Sequence, residues 1–310
     1  MTHSIKFFFE YLVIRSLAGL LRRLSRPTAL RVGGHLGLLA AWLLPKRRRL
    51  AEENLRRAFP ELSDQRIAWL ALRNFWHVGV SGAEILRIDM FRPGSDDLQR
   101  YFEVAGIEHL QQAQDLGRGV IMLSGHFGFW EMGSFPLHEL GFQVDPVAKP
   151  MKNPLVGRYI KQLRETYGAI EIDSRKGARR VLNALRQGRI PAILLDQHIS
   201  PPGSIPTRFF GQPGYTTTAI TNLAMKYRIP VVPVFCQRLP DERYKIWAEP
   251  MLLLEGEGEQ AVNENTQRLT EIIEQAVRRD ITQWFWMHKR WRVPENQAEK
   301  NQLKKDETSE

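Results

Sequence analysis

Short apolar runs alternating with helical patterns from Gly119 to Phe235 restrict this chain more than any other feature. Gly119-Val-Ile-Met-Leu-Ser124, Gln143 to Val147, Ala169 to Ile172, Ile190-Pro-Ala-Ile-Leu-Leu195 and Val231 to Phe235 read as strands. The stretches near Trp130 to Leu140, Pro154 to Tyr167, Lys176 to Arg186 and Thr216 to Tyr227 read as helices, with a loop rich in Pro and Gly before the last. Such alternation implies an α/β core with a largely parallel sheet flanked by helices. In that architecture chemistry gathers at the carboxyl ends of the strands, where His126 and Asp196 both fall.

The chain begins differently. Phe7 to Leu21 is apolar but interrupted by Glu10 and Arg15, and it ends in Arg22, Arg23 and Arg26. A second stretch, Val32 to Pro45, has only 14 residues between Arg31 and Lys46, whereas a bilayer span takes about 20. Its basic flanks on both sides, Arg31 and Lys46-Arg-Arg-Arg49, are not those of a simple transmembrane helix. Interfacial helices resting on an anionic membrane surface fit the pattern, and two ordinary buried helices are the alternative. The net charge of +10 agrees with an anionic partner.

Arg47 to Ala58 and Asp64 to Arg87 follow as helices separated by Phe59-Pro60. The expected organisation is therefore residues 1–45 as membrane-associating helices, 46–294 as the main domain and 295–310 as a charged, disordered tail. The single cysteine, Cys236, excludes an internal disulfide and a cysteine-based zinc site. No metal-protease, phosphate-loop or serine-hydrolase motif occurs, so no metal and no cofactor is expected.

His126 and Glu131 stand in Ser124-Gly-His-Phe-Gly-Phe-Trp-Glu131, directly after a strand. Five residues apart on a continuous helix they would diverge by about 140°, so a contact needs His126 in a loop and Glu131 in the first helical turn. An imidazole whose second nitrogen meets a carboxylate can take a proton from a hydroxyl near neutral pH. The same helix start can offer backbone N–H groups to an oxyanion or phosphate. By itself this spacing is a weak motif, and a structural role for the pair is the competing reading.

Leu123 to Glu131 resembles the His-x4-Asp/Glu block of the glycerolipid and lipid A acyltransferases, specifically the late acyltransferases of lipid A biosynthesis. Four further blocks resemble that family in order: Glu53-Asn-Leu-Arg-Arg-Ala-Phe-Pro-Glu61; Lys149-Pro150, Asn153-Pro154 and Arg164; Asp196-Gln197 with Phe209-Phe-Gly-Gln-Pro213 and Thr216; and Trp284-Phe-Trp-Met-His-Lys-Arg-Trp-Arg292. Leu195-Asp-Gln-His replaces the Phe-Pro-Glu-Gly-Thr-Arg block of the simpler phospholipid enzymes, which points to the lipid A branch.

The resemblance implies a fold like that of the glycerolipid acyltransferases and a reaction moving an acyl chain from an acyl carrier protein thioester, or a coenzyme A thioester, to a hydroxyl of a glycolipid acceptor, a lipid A precursor of lipopolysaccharide biosynthesis. It implies His126 as general base, Glu131 orienting it, Arg164 as a catalytic or phosphate-binding residue, and Asp196 in the same crevice. Gly125, Lys149, Arg158, Gln197, Phe210, Gly211 and Thr216 become candidates for substrate contact. The implied location is the cytoplasmic face of a bacterial inner membrane. Another acceptor, such as a lysophospholipid, phosphoglycolipid or amino-acid lipid, is a second reading, and a non-catalytic lipid-surface protein a third. Nucleic-acid stacking by Trp284, Trp286 and Trp291 is disfavoured against a lipid interface or core packing.

Overall fold

The computed structural model describes residues 2–292, so the charged tail expected at 295–310 lies outside the described residues. Four helices open the chain: α1 (Thr2–Arg23), α2 (Arg26–Leu43), α3 (Pro45–Ala58) and α4 (Asp64–Ile85). Next come α5 (Asp97–Tyr101), β1 (Phe102–Ala105), α6 (Glu108–Asp115), β2 (Ile121–Ser124), α7 (Ser134–Glu139), β3 (Val144–Ala148), α8 (Pro154–Glu165), β4 (Ile172–Asp173) and α9 (Gly177–Arg186). The remainder is β5 (Ile190–Leu194), β6 (Ser204–Phe209), β7 (Gln212–Thr217), α10 (Ala219–Tyr227), β8 (Val231–Arg238), β9 (Tyr244–Ala248) and α11 (Gly258–Arg279).

Seven strands form one sheet in the order β1-β9-β8-β2-β5-β3-β4, and β6 and β7 pair separately as an antiparallel hairpin. Only the β8–β9 pair is antiparallel within the large sheet; the other five pairs are parallel. The expected α/β architecture with a mostly parallel sheet is thus the observed one. Alternation along β8 shows how the sheet is covered. Val231 and Phe235 pack with α10 and α11, while Val232, Val234 and Cys236 enter the cluster containing Leu110 of α6.

Several elements depart from the sequence reading, and two regions show why. The loop expected before α10 contains the β6–β7 hairpin, whose turn residues Phe210 and Gly211 both have positive φ, 51° and 71°. That is the combination a two-residue type I′ hairpin demands. The glycine-bearing stretch of α2 is also turned inward rather than outward: a methyl group at Gly37 would lie 2.1 Å from the Phe75 carbonyl of α4. Close backbone approach, not membrane insertion, accounts for Gly33 and Gly37.

The opposite face of α2 exposes Leu36, Leu39, Trp42 and Leu43, and α1 exposes Ile5, Phe8, Phe9 and Leu12. Each helix therefore buries one face in the body and presents an apolar second face. Among the described residues no helix is long and apolar enough to cross a membrane.

Asn54 and Asn74 tie these helices to the C-terminal segment. Asn54 Nδ2 donates to the carbonyls of Trp286 and His288, each at 2.7 Å, and Asn74 Nδ2 donates to those of Thr282 and Trp284. Trp284, Trp286, Phe209, Phe210 and Phe59 pack there with ring centroids 4.7–5.9 Å apart, the separations that aromatic pairs favour.

Candidate active site

The chain leaves β2 at Ser124 and turns at once through Gly125 to Gly128. Gly128 has φ 62° and passes so close to β8 that a Cβ would lie 1.8 Å from the Cys236 carbonyl, so only glycine fits. This turn fixes His126 at the carboxyl end of β2, with its ring edge-on to Trp130 at a centroid distance of 5.2 Å.

Asp196, one loop residue beyond Leu195 at the end of β5, meets His126 twice. Its Oδ1 lies 2.8 Å from His126 Nδ1, and its Oδ2 accepts the His126 backbone N–H at 2.8 Å. Trp284 Nε1 also donates to Oδ2, at 2.6 Å. Asp196 is 1 % exposed. Burial works to raise its pKa, but His126 by charge and hydrogen bonds, together with the Trp284 indole, outweighs burial and holds it down at about 2.

An ionised carboxylate can only accept, so the proton at this contact sits on His126 Nδ1 and Nε2 keeps its lone pair. Gln197 Nε2 approaches that lone pair at 3.1 Å.

Glu131 lies at the same mouth but is engaged elsewhere. Arg164, at the end of α8, grips its carboxylate with Nε at 2.8 Å and Nη2 at 2.6 Å, and turns Nη1 to Glu171. Burial favours a lower Arg164 pKa, yet Glu131 and Glu171 outweigh it and raise the value. The carboxylate on Nδ1 of His126 is therefore that of Asp196, not the sequence-expected Glu131. The physical reason is reach: Glu131 is the second residue of a 3₁₀ turn (Trp130–Gly133) that carries it towards α8, where a bidentate fork awaits. Arg164, expected as a phosphate ligand, has its donors committed to carboxylates.

The oxyanion expectation changes as well. The amides of His126, Phe127, Gly128 and Phe129 donate to Asp196, Gly125 O, Gln283 O and Cys236 O. These four are occupied by the fold.

His126, Glu131, Arg164, Gln197 and Lys149 line the mouth of a cavity of about 610 Å³. Its deeper wall is apolar: Met122, Val144, Val147, Ala192 and Ile193 from the strands, Val181 from α9, and Ile220 and Leu223 from α10. A chamber of that size and lining suits a medium-sized apolar ligand with its polar end at the mouth.

Other sequence candidates fall outside the lining. Arg158 is exposed on α8. Gly125 lies behind the dyad, where an added methyl would lie 2.7 Å from Ile273 of α11. Phe210 and Gly211 form the hairpin turn, and Phe210 packs on Phe59 and Trp286. Thr216 is fully buried, bonded to Thr207 and to Arg290 at 2.6 Å each. The Asn153-Pro154 pair serves α8 as N-cap and first-turn proline, the cap accepting from Leu155 and Val156 N–H. Among the described residues no group of three or more metal-ligating side chains occurs.

Sequence reasoning missed Glu171, Trp130 and the indole bond of Trp284. Trp130 and Trp284 carried a signal, each as part of a matched block.

A His–Asp pair with a buried carboxylate, at the carboxyl ends of parallel strands and lining a largely apolar chamber, has the build of an enzyme site that takes an aliphatic chain. Comparison with known proteins is specific: residues 2–293 match the family model described as bacterial lipid A biosynthesis acyltransferase, and the chain belongs to that family. It is an acyltransferase of lipid A biosynthesis. It is similar to the lipid A biosynthesis lauroyltransferase of Escherichia coli K12, 26% identical over 281 residues covering 87% of each chain. The lipid A biosynthesis palmitoleoyltransferase of the same organism is 25% identical over 276 residues, again 87% of each. A lipid A biosynthesis acyltransferase of Haemophilus influenzae is 24% identical over 255 residues, 82% of this chain and 78% of its own.

Proposed function

We propose that this enzyme transfers a fatty acyl chain from an acyl carrier protein thioester to a hydroxyl of a lipid A precursor, with His126 as general base. The observation that carries the reading is the His126 Nε2 lone pair at the mouth of the apolar cavity, with its other nitrogen bound to buried Asp196. The acyl chain lies in the chamber and places its thioester carbonyl at the mouth. The acceptor hydroxyl displaces Gln197 from Nε2 and gives up its proton there, while its oxygen attacks the carbonyl. The imidazolium is stabilised by Asp196. Collapse of the tetrahedral intermediate breaks the C–S bond, and the departing thiolate recovers the proton from His126.

Arg164 and Glu171 hold Glu131 at the opposite side of the mouth, where it bounds the acceptor's approach. Lys149, also in the lining, would meet a phosphate on donor or acceptor. The exposed apolar faces of α1 and α2, followed by Lys46-Arg-Arg-Arg49, favour docking on an anionic membrane surface, with Trp42 at 74 % exposure as an interfacial anchor. These faces support a location on the cytoplasmic face of the bacterial inner membrane.

The test is incubation of the purified protein with acyl carrier protein thioesters and a tetra-acylated lipid A precursor, read by mass spectrometry. One acyl increment on the precursor is expected from the wild type and none from His126→Ala. Acylation of a lysophospholipid in place of the precursor would transfer the reading to another acceptor, and equal activity in His126→Ala would end it.

A further inference from the structure

One short segment touches both loops that carry the proposed dyad. Gln283 O accepts the Gly128 amide at 3.0 Å, and the Phe285 amide donates to His126 O at 3.0 Å, so residues 283–285 run along the His126 turn. On the other loop, Trp284 Nε1 reaches Asp196 Oδ2 at 2.6 Å, His288 Nε2 accepts the His198 amide at 2.9 Å, and Arg290 Nη1 reaches the Gln197 carbonyl at 3.5 Å. Three successive residues after β5 are each met by a different side chain of the segment. The segment is itself pinned from behind by Asn54 and Asn74.

We propose that residues 283–290 form the template that sets the His126–Asp196 pair, with the Trp284 indole as the positioning residue that fixes Asp196. Asp196 Oδ2 accepts from the His126 amide and from Trp284, which leaves Oδ1 directed at Nδ1. Without the indole the carboxylate keeps one anchor on Oδ2 and can rotate away from Nδ1. A misplacement of about 1 Å in such an arrangement costs up to about 100-fold in rate. Core packing explains a large aromatic at this place, but not a ring N–H aimed at a buried carboxylate when solvent and carbonyls are the usual partners.

The inference rests on His126 being the base, and the test separates the two. Trp284→Phe keeps the ring and removes the donor. Trp284→His returns a ring N–H two bonds from Cγ, at the place of the indole nitrogen. In the carrier-protein assay Trp284→Phe is expected to lower kcat about 10- to 100-fold with KM unchanged. The acidic limb of its kcat/KM profile should move to lower pH, because a carboxylate turned away from Nδ1 stabilises the imidazolium less. The charged groups around His126 that this limb reports with are Asp196, Glu131 and Arg164 at the mouth, and His198, His288 and Arg290 on the adjoining loop and template.

Trp284→His should recover most of the rate and the original limb. Wild-type kcat and limb in Trp284→Phe, while His126→Ala is inactive, overturn the template proposal and leave the function standing; activity in His126→Ala overturns the function itself. Should Trp284→Phe not fold, the indole ¹⁵N–¹H resonance absent from Trp284→His carries the test. It is expected to move upfield in Asp196→Asn, and an unmoved resonance overturns the proposal.

Discussion

On the His126 side of the cavity mouth, one buried carboxylate is shared by an imidazole, a backbone amide and an indole. On the Arg164 side, one guanidinium is held between two carboxylates, Glu131 and Glu171. Each side carries one net negative charge when His126 is neutral, yet the charges are held for different ends. Asp196 is held by an imidazole, an amide and an indole, and while the imidazole is neutral its charge stays uncancelled, available to a cation that forms during reaction. At Arg164 the cation is already present, and what two carboxylates and a planar fork secure is position.

That comparison is broken or upheld most sharply at the dyad. His126→Ala is expected to lower kcat by about 10²–10⁴ without altering the far-ultraviolet circular dichroism. Asp196→Asn should lose a similar factor, since an amide can donate to Nδ1 and force the tautomer whose proton sits on Nε2. Full activity in Asp196→Asn would make the two sides equivalent and remove the distinction drawn between them.

A smaller effect is expected across the mouth. Arg164→Ala removes the cation that Glu131 and Glu171 share, at a stability cost of about 2–4 kcal/mol, seen as a lower urea midpoint. Arg164→Lys restores the charge but not the fork, so it should recover most of the stability and less of the activity. Equal recovery of both would mean that charge alone, not position, is what this side provides.

How far these features were legible in the sequence follows from their range. β2, β5 and β8 are built on apolar runs, and a buried parallel strand announces itself in about five residues. The β6–β7 hairpin does not: Pro206 and Pro213 look like breakers, but in a two-stranded ribbon each strand has a free edge that tolerates them. Likewise β1, β9 and α11 went unassigned, β9 being only five residues long.

His126 and Asp196 were visible because both end apolar strands. Their pairing was not, since it depends on β2 and β5 being neighbours, a fact of sheet order rather than of spacing. Glu131 was misassigned to His126 for the opposite reason: five residues of separation suggested a local contact, and the fold supplied a partner 33 residues away in α8.

Acid sensitivity should register the buried side more than the charged one. Burial, with Arg238 adding to it at His77, holds His288 and His77 down at about 4 from 6.5. Between those values the unfolded chain binds protons that the folded chain refuses. Stability is thus complete above pH 6.5 and declines as pH falls to 4, on the order of 2–3 kcal/mol for each histidine. Asp196, lowered to about 2 from 3.8, loses its contribution only below pH 4. Urea midpoints measured from pH 7.5 to 4.0 should fall steadily, and His288→Gln, which can still accept from the His198 amide, should flatten part of that slope. An unchanged slope would show that His288 takes up a proton in the native template.

The least drastic change tests whether the two sides serve one ligand. Ala192, 6 % exposed on β5, lines the chamber below both of them. Ala192→Leu adds three carbons to that wall, and a well-packed chamber has no slack to absorb them. The dyad and the Arg164 station are untouched, so kcat with a donor about two to three methylenes shorter should stay near wild type, while the longest accepted donor is disfavoured roughly 10- to 200-fold. Competition between thioesters of different length, read by mass spectrometry, measures that ratio directly. An unaltered preference would place the acyl chain outside this cavity and leave the mouth's two sides facing different ligands.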